Sequence, residues 1–260
     1  YIQPTFHFDY PGFAWVDGLP GAWMYLPVAL MALGAIGIML GYRYRLATAL
    51  YWLAFTYVEL IDPTYYLNHY YFISLAAALL FFMPLDRMWS VGGRKSRGET
   101  LPAWCLWVIR GQVGIVYFFA GVAKLKTDWL LHAEPLHTWL TARTDMPLIG
   151  TFLDTAWSAY AMSWAGAIFD LTVPFFLLWR RSRIFAYAAV VLFHLTTWRL
   201  FNIGMFPWIM MGGALIFFDP SWPRRWLRMP RLSMRTAAAT RLLPRPAMLT
   251  LALYFAVQIT

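Results

Sequence analysis

A lysine closes the apolar run Val116-Tyr-Phe-Phe-Ala-Gly-Val-Ala-Lys124, just ahead of Leu125-Lys-Thr-Asp-Trp129. At the mouth of a membrane helix, partial loss of water favours the neutral form of an amine, and a neutral amine is a base. Tyr117 and Gly121 fall on the same face as Lys124 at helical spacing, where a ring and a bare backbone let a flat ligand approach closely. The plainer reading is a lysine that snorkels to the lipid headgroups, and position alone leaves both open.

A second candidate is His69, in Tyr65-Tyr-Leu-Asn-His-Tyr-Tyr-Phe72, with Asn68 beside it and the carboxylates Glu59 and Asp62 shortly before. It reads either as an active-site acid or base or as a histidine set among interfacial tyrosines. Asp170 and His194 lie deep within apolar runs, where ionisable groups are functional or paired, so a hydrogen bond between the two is one expectation. Arg110, also inside a run, is expected to snorkel or to pair with a buried carboxylate. His132 and His137 share a loop, but no HExxH motif, Cys-His cluster or carboxylate triad accompanies them, so no metal is expected. Glycine-rich phosphate loops and nucleophile elbows are also missing from the sequence.

The elements that must position these groups are membrane helices. Of the 260 residues, 61% are hydrophobic, 19% aromatic and only 13% charged, against about 25% charged in soluble domains. Runs near the length needed to cross roughly 30 Å of hydrocarbon stand at 20–41, 46–61, 67–83, 103–123, 152–179, 184–200, 203–219 and 246–260. The expected fold is therefore all-α, a polytopic transmembrane bundle of about eight spans. Pro84, Pro102, Pro147, Pro220 and Pro223 fall between runs, whereas Pro27 and Pro174 fall inside them and predict a bend. No repeat or low-complexity linker divides the chain, so residues 1–260 are read as one domain. With Cys105 as the lone cysteine, there is no disulfide framework.

Sixteen of the 21 basic residues fall in alternate connections: Arg43 and Arg45; Arg87 to Arg97; Arg180 to Arg183; and Arg224 to Arg245. That alternation places those loops in the cytoplasm. His7, Asn68, His69, Lys124, His132 and His137 then collect on the opposite side. The net charge of +9 is thus a topology signal, and no basic face on a soluble domain suggests nucleic acid. Trp222-Pro-Arg-Arg-Trp226 suits contact with anionic membrane lipids. The long connection 124–151, with Trp129 and Trp139, reads as an interfacial or re-entrant segment.

Taken together, the strings resemble the transmembrane domain of vitamin K-dependent γ-glutamyl carboxylases and their bacterial relatives, the HTTM family. The resemblance runs through Phe6-His-Phe-Asp-Tyr-Pro-Gly-Phe-Ala-Trp15, Tyr66-Leu-Asn-His-Tyr-Tyr71 with Phe82-Met-Pro84, Val116 to Leu125 with Asp128-Trp129, and Phe193-His194 through Ile203-Gly-Met-Phe206 to Trp222-Pro223. It implies that Lys124 deprotonates a reduced vitamin K-type naphthoquinone, which adds O2 on the way to its epoxide. The alkoxide formed on that path takes the γ-proton of a glutamate in a peptide or protein substrate, and the carbanion takes up CO2. It further implies that His69 assists and that Asn68 contacts the quinone; the reading of the residues adds Tyr117 and Gly121 as quinone contacts and Asp170 and His194 as a supporting polar network. A bacterial inner membrane location follows, with the site on the non-cytoplasmic side. Ala123 departs from the pattern, since animal members often carry a second lysine there. Tyr1 in first position leads to the expectation of an upstream helix. The resemblance likewise leads to a substrate-engaging soluble portion beyond Thr260, without which quinone epoxidation survives and carboxylation does not.

Overall fold

A computed structural model describes residues 6–86, 90–91, 101–147, 149–219, 222 and 245–258, and these residues are helical with no strand among them. Arg87, Arg94, Lys95, Arg97, Arg224, Arg225, Arg228, Arg231, Arg235 and Arg241 lie outside the described residues, as does the stretch Pro223–Trp226. The chain divides into two compact units, Tyr1–Val108 with Pro230–Thr260, and Ile109–Met229.

The first unit holds α1 (Tyr25–Leu40), α2 (Tyr44–Leu60) and α3 (Asn68–Phe82). Gly41 ends α1 in the left-handed region at φ 65°, and the N–H of Tyr42 closes back on the Gly37 carbonyl at 2.9 Å, so the chain reverses within three residues. Lipid gives apolar side chains no reason to leave it, so helix pairing in a membrane depends on small residues that admit close backbones. Gly34 and Gly37 do this for the α1–α2 hairpin. A Cβ at Gly34 would stand 2.9 Å from the Ala47 carbonyl and from Tyr51, and one at Gly37 would stand 2.7 Å from the Ala47 methyl. Between α2 and α3 the ties are polar: the Tyr44 hydroxyl donates to the Leu80 carbonyl at 2.8 Å, and Thr56 pairs with Ser74. Gly34→Val is expected to cost about 1–3 kcal/mol, read as a lower thermal midpoint of the detergent-solubilised protein. A midpoint equal to the parent's would show that the hairpin tolerates separation.

The second unit begins within α4 (Ala103–Ala123). Next come three short helices, α5 (Thr127–Leu131), α6 (Leu136–Thr141) and α7 (Gly150–Leu153), and then α8 (Ala156–Leu178), α9 (Arg183–Leu200) and α10 (Phe206–Ala214). From the connection that carries them, Leu136, Leu140, Met146 and Leu153 converge with Ala159 of α8 and Leu200 of α9 in a buried cluster. Arg110 is half-buried. Its guanidinium donates to the carbonyls of Ile216 and Phe217 at 3.0 and 3.1 Å, capping the turn that follows α10. A final helix, α11 (Arg245–Val257), belongs to the first unit.

Helices occupy each of the apolar runs, yet among the described residues only three are long and apolar enough to cross a membrane: Gly21–Leu40, Ala103–Ala123 and Ala156–Leu178. The others fall short for identifiable reasons. Arg45 and Glu59 interrupt α2, and Arg183, His194 and Arg199 interrupt α9. The 203–219 run breaks into α10 and a 3-10 turn at Leu215–Phe217, and α11 has 13 residues. The structure therefore shows an all-helical membrane protein and supports three spans by length and composition, where the sequence led us to expect about eight.

Candidate functional site

Lys124 follows the last residue of α4, where the helix tightens: the Lys124 N–H bonds the Gly121 carbonyl at 3.0 Å and the Leu125 N–H bonds Val122 at 2.9 Å. A cation belongs at this end of a helix, where carbonyls lack intrahelical partners, and Nζ donates to the Ala120 carbonyl at 3.2 Å. Its stronger partner is Asp170 on α8, with Nζ to Oδ2 at 2.5 Å. The carboxylate is 5% exposed and the lysine side chain 20% exposed, so the carboxylate is enclosed while the amine side chain stays partly accessible.

Gly121 makes this meeting possible. A Cβ there would stand 2.8 Å from the backbone nitrogen of Leu171 and 2.7 Å from its Cγ. The bare face of Gly121 is thus taken up by Leu171, and its smallness serves the approach of α4 to α8. Trp129 of α5 completes the surroundings, with its ring centroid 5.4 Å from Nζ. That ring is clamped to α8. Its indole N–H donates to the Ser163 carbonyl at 3.0 Å, and the Ser163 hydroxyl bonds back to the Trp129 carbonyl. The Trp164 indole and the Tyr160 hydroxyl donate to the Leu130 and Leu131 carbonyls at 3.0 and 2.8 Å. The connection expected to be interfacial is therefore fastened to α8 through the open carbonyls of α5.

Two turns before Lys124 on α4, Tyr117 is buried and its hydroxyl lies 2.9 Å from Nε2 of the buried His194 on α9. Phe193 and Phe206 stand edge-on to the His194 ring, at 5.3 and 5.7 Å. Asp170 and His194, expected to bond each other, instead take separate partners, Lys124 and Tyr117. The reason is level. Helices α8 and α9 run antiparallel from the turn at 179–182, and Phe193 meets Gly166, about one helical turn from Asp170. Pro174, buried inside α8, lies four residues after Asp170 and faces Gly114 of α4, where an added Cβ would stand 3.7 Å from the proline Cβ, an ordinary contact.

A family model described as the HTTM domain matches residues 1–222. The chain belongs to the HTTM family. The HTTM domain is associated with the vitamin K-dependent carboxylase family, and no solved structure matches this chain.

Within this HTTM chain the predicted residues fall in two groups. Lys124, Gly121, Tyr117, Asp170 and His194 share the second unit and are brought together there. Asn68 and His69 open α3 in the first unit, Asn68 exposed and His69 buried against Tyr70, ring to ring at 4.6 Å. Nearby, Asp62 accepts from the Thr64 N–H at 2.9 Å, the Thr64 hydroxyl at 2.8 Å and His7 Nδ1 at 3.2 Å. Burial opposes its charge, but these donors prevail and hold its carboxyl below the usual carboxylate range. The Thr138 hydroxyl does the same for Glu134, with His137 3.5 Å away. Among the described residues, no group of three or more histidines, cysteines or carboxylates could hold a metal ion. Sequence reasoning missed the Ser163–Trp129 clamp, whose only signal was a tryptophan soon after the lysine.

Proposed function

We propose that this HTTM chain processes a reduced vitamin K-type naphthoquinone, coupling its oxygenation to the epoxide with γ-carboxylation of glutamate by CO2. Lys124 is the base. The observation that carries the reading is the Lys124–Asp170 contact at 2.5 Å beneath the Trp129 ring. An ammonium has no lone pair, so an acting base must first give up a proton, and a buried carboxylate within hydrogen-bond reach can receive it. The residues present suit a flat, uncharged ligand with oxygen at its edge: an amine, a buried Tyr–His pair and aromatic rings. When bound, the reduced quinone supplies, through oxygenation, the driving force for removing an otherwise inert γ-proton. The chain's own contribution is to hold the amine, to enclose its carboxylate partner away from water and to leave the amine partly accessible to the ligand.

The assisting role of His69 and the polar role of Asn68 rest on the family resemblance. We further propose that the helices short of spanning length complete a bundle of about eight crossings. The basic connections would then face the cytoplasm of a bacterial inner membrane, with Lys124 on the other side. The deciding experiment is turnover of the natural protein in nanodiscs with reduced vitamin K, O2 and labelled bicarbonate, with and without a glutamate peptide. Epoxide with fixed label is the expected result, and epoxide alone reassigns the chain as a quinone epoxidase. Neither product, from folded protein that binds the quinone, makes it a noncatalytic quinone binder. His69→Ala is expected to fold and to lose most of the turnover, and full turnover would remove His69 from the reaction.

A further inference from the structure

His194 is 1% exposed, and among the described residues its Nδ1 has no hydrogen-bond partner. Buried polar atoms left in that state are rare and call for an explanation. A count of protons makes the case sharper. A tyrosine and a neutral histidine carry two polar hydrogens between them, and the bond at 2.9 Å uses one. In one tautomer Nε2–H donates to the Tyr117 oxygen, leaving the Tyr117 O–H to donate and Nδ1 to accept. In the other the tyrosine donates to Nε2, leaving Nδ1–H to donate and the phenol oxygen to accept. Either way the pair retains one unspent donor and one unspent acceptor. The rings around it, Phe193 and Phe206 against the imidazole and Phe169 edge-on to Tyr117 at 6.0 Å, supply no oxygen to satisfy them.

We propose that the Tyr117–His194 pair binds an oxygen of the ligand that alternates between hydroxyl and carbonyl, with His194 taking whichever tautomer the ligand demands. The proposal rests on the quinone reading above and extends it. A hydroxyl of the reduced ring is accepted by Nδ1 while Nε2–H holds Tyr117. A carbonyl of the oxidised ring receives Nδ1–H while Tyr117 donates to Nε2. Neither form of the ligand leaves the pair with a clash of two donors or two acceptors, so reduced and oxidised rings are held by the same two side chains.

The test uses the whole chain in detergent with nitrogen-15 histidine, the His194 signal being identified by its loss in His194→Phe. Menadione and its reduced form, menadiol, are the probes, with tryptophan quenching as an independent measure of binding. The expected result is that Nδ1 of His194 carries the proton with menadione and is bare with menadiol. The same tautomer with both, or an unmoved signal while menadione quenches saturably, overturns the inference and leaves the quinone reading standing. No binding of menadione also overturns it, and the turnover assay then judges the function separately. In a second arm, Tyr117→Phe with His194→Phe is expected to weaken menadione about fivefold or more, the worth of one hydrogen bond, and to leave 2-methylnaphthalene unchanged. Equal losses for both ligands overturn the inference.

Discussion

Lys124→Ala is expected to lower epoxide formation by about two to four orders of magnitude, the usual contribution of a positioned general base. The structure adds a second consequence, because the substitution strands Asp170. Removing one partner of a fully buried pair costs about 3–5 kcal/mol, and a lysine one-fifth exposed places the loss below that range. The two effects separate in Lys124→Ala with Asp170→Asn. There the buried charge is gone, so thermal stability recovers most of its loss, while turnover stays at the level of the single variant. Quinone affinity changes little in either, since the aromatic surroundings remain. Turnover at the parental rate in Lys124→Ala would reject the base assignment, and recovery of turnover in the double variant would show that the lysine serves only to neutralise Asp170.

Gly121→Val carries the next largest effect. The added carbons meet the Leu171 backbone nitrogen, which cannot rotate away as a side chain can. Overpacking of this kind costs about 1–3 kcal/mol, and the helices can relieve it only by moving apart. That movement stretches the Lys124–Asp170 contact, and a misplacement of about 1 Å at a reacting group is worth on the order of 100-fold in rate. The expected result is a drop in thermal midpoint together with a loss of turnover near 100-fold. Gly121→Ala should show a smaller loss of both. A variant with lowered stability and undiminished turnover would uncouple the approach of α4 and α8 from the chemistry.

Much of the helix order was legible, because membrane helices are written as apolar runs and Pro84, Pro102 and Pro147 punctuate them. What escaped was anything decided between helices. Asp170 stood out as an ionisable group in a span, but its partner depended on how far α8 advances past α4. That distance is set by the fit of Leu171 onto Gly121, which no periodicity displays. The same holds for His194: its depth could be read, whereas its bond to Tyr117 follows from the level at which α9 crosses α4. Residues 124–151 were recognised as something other than a turn. Their folding into three short helices around Leu136, Leu140 and Leu153 was not recognised, since helices of four to six residues are too brief to establish a period.

One proline carries a further consequence. Pro174 has no N–H, so the regular backbone bond it would make to the carbonyl four residues earlier is missing, and that carbonyl belongs to Asp170. The residue that grips the lysine therefore sits on the weakest rung of its own helix. A helix lacking that rung bends there at low energetic cost. Tilting the half of α8 beyond Pro174 then leaves Asp170 on the same segment as the Ser163–Trp129 clamp two turns away. The spacing between acid and amine is thereby insulated from the curvature of the helix beyond it.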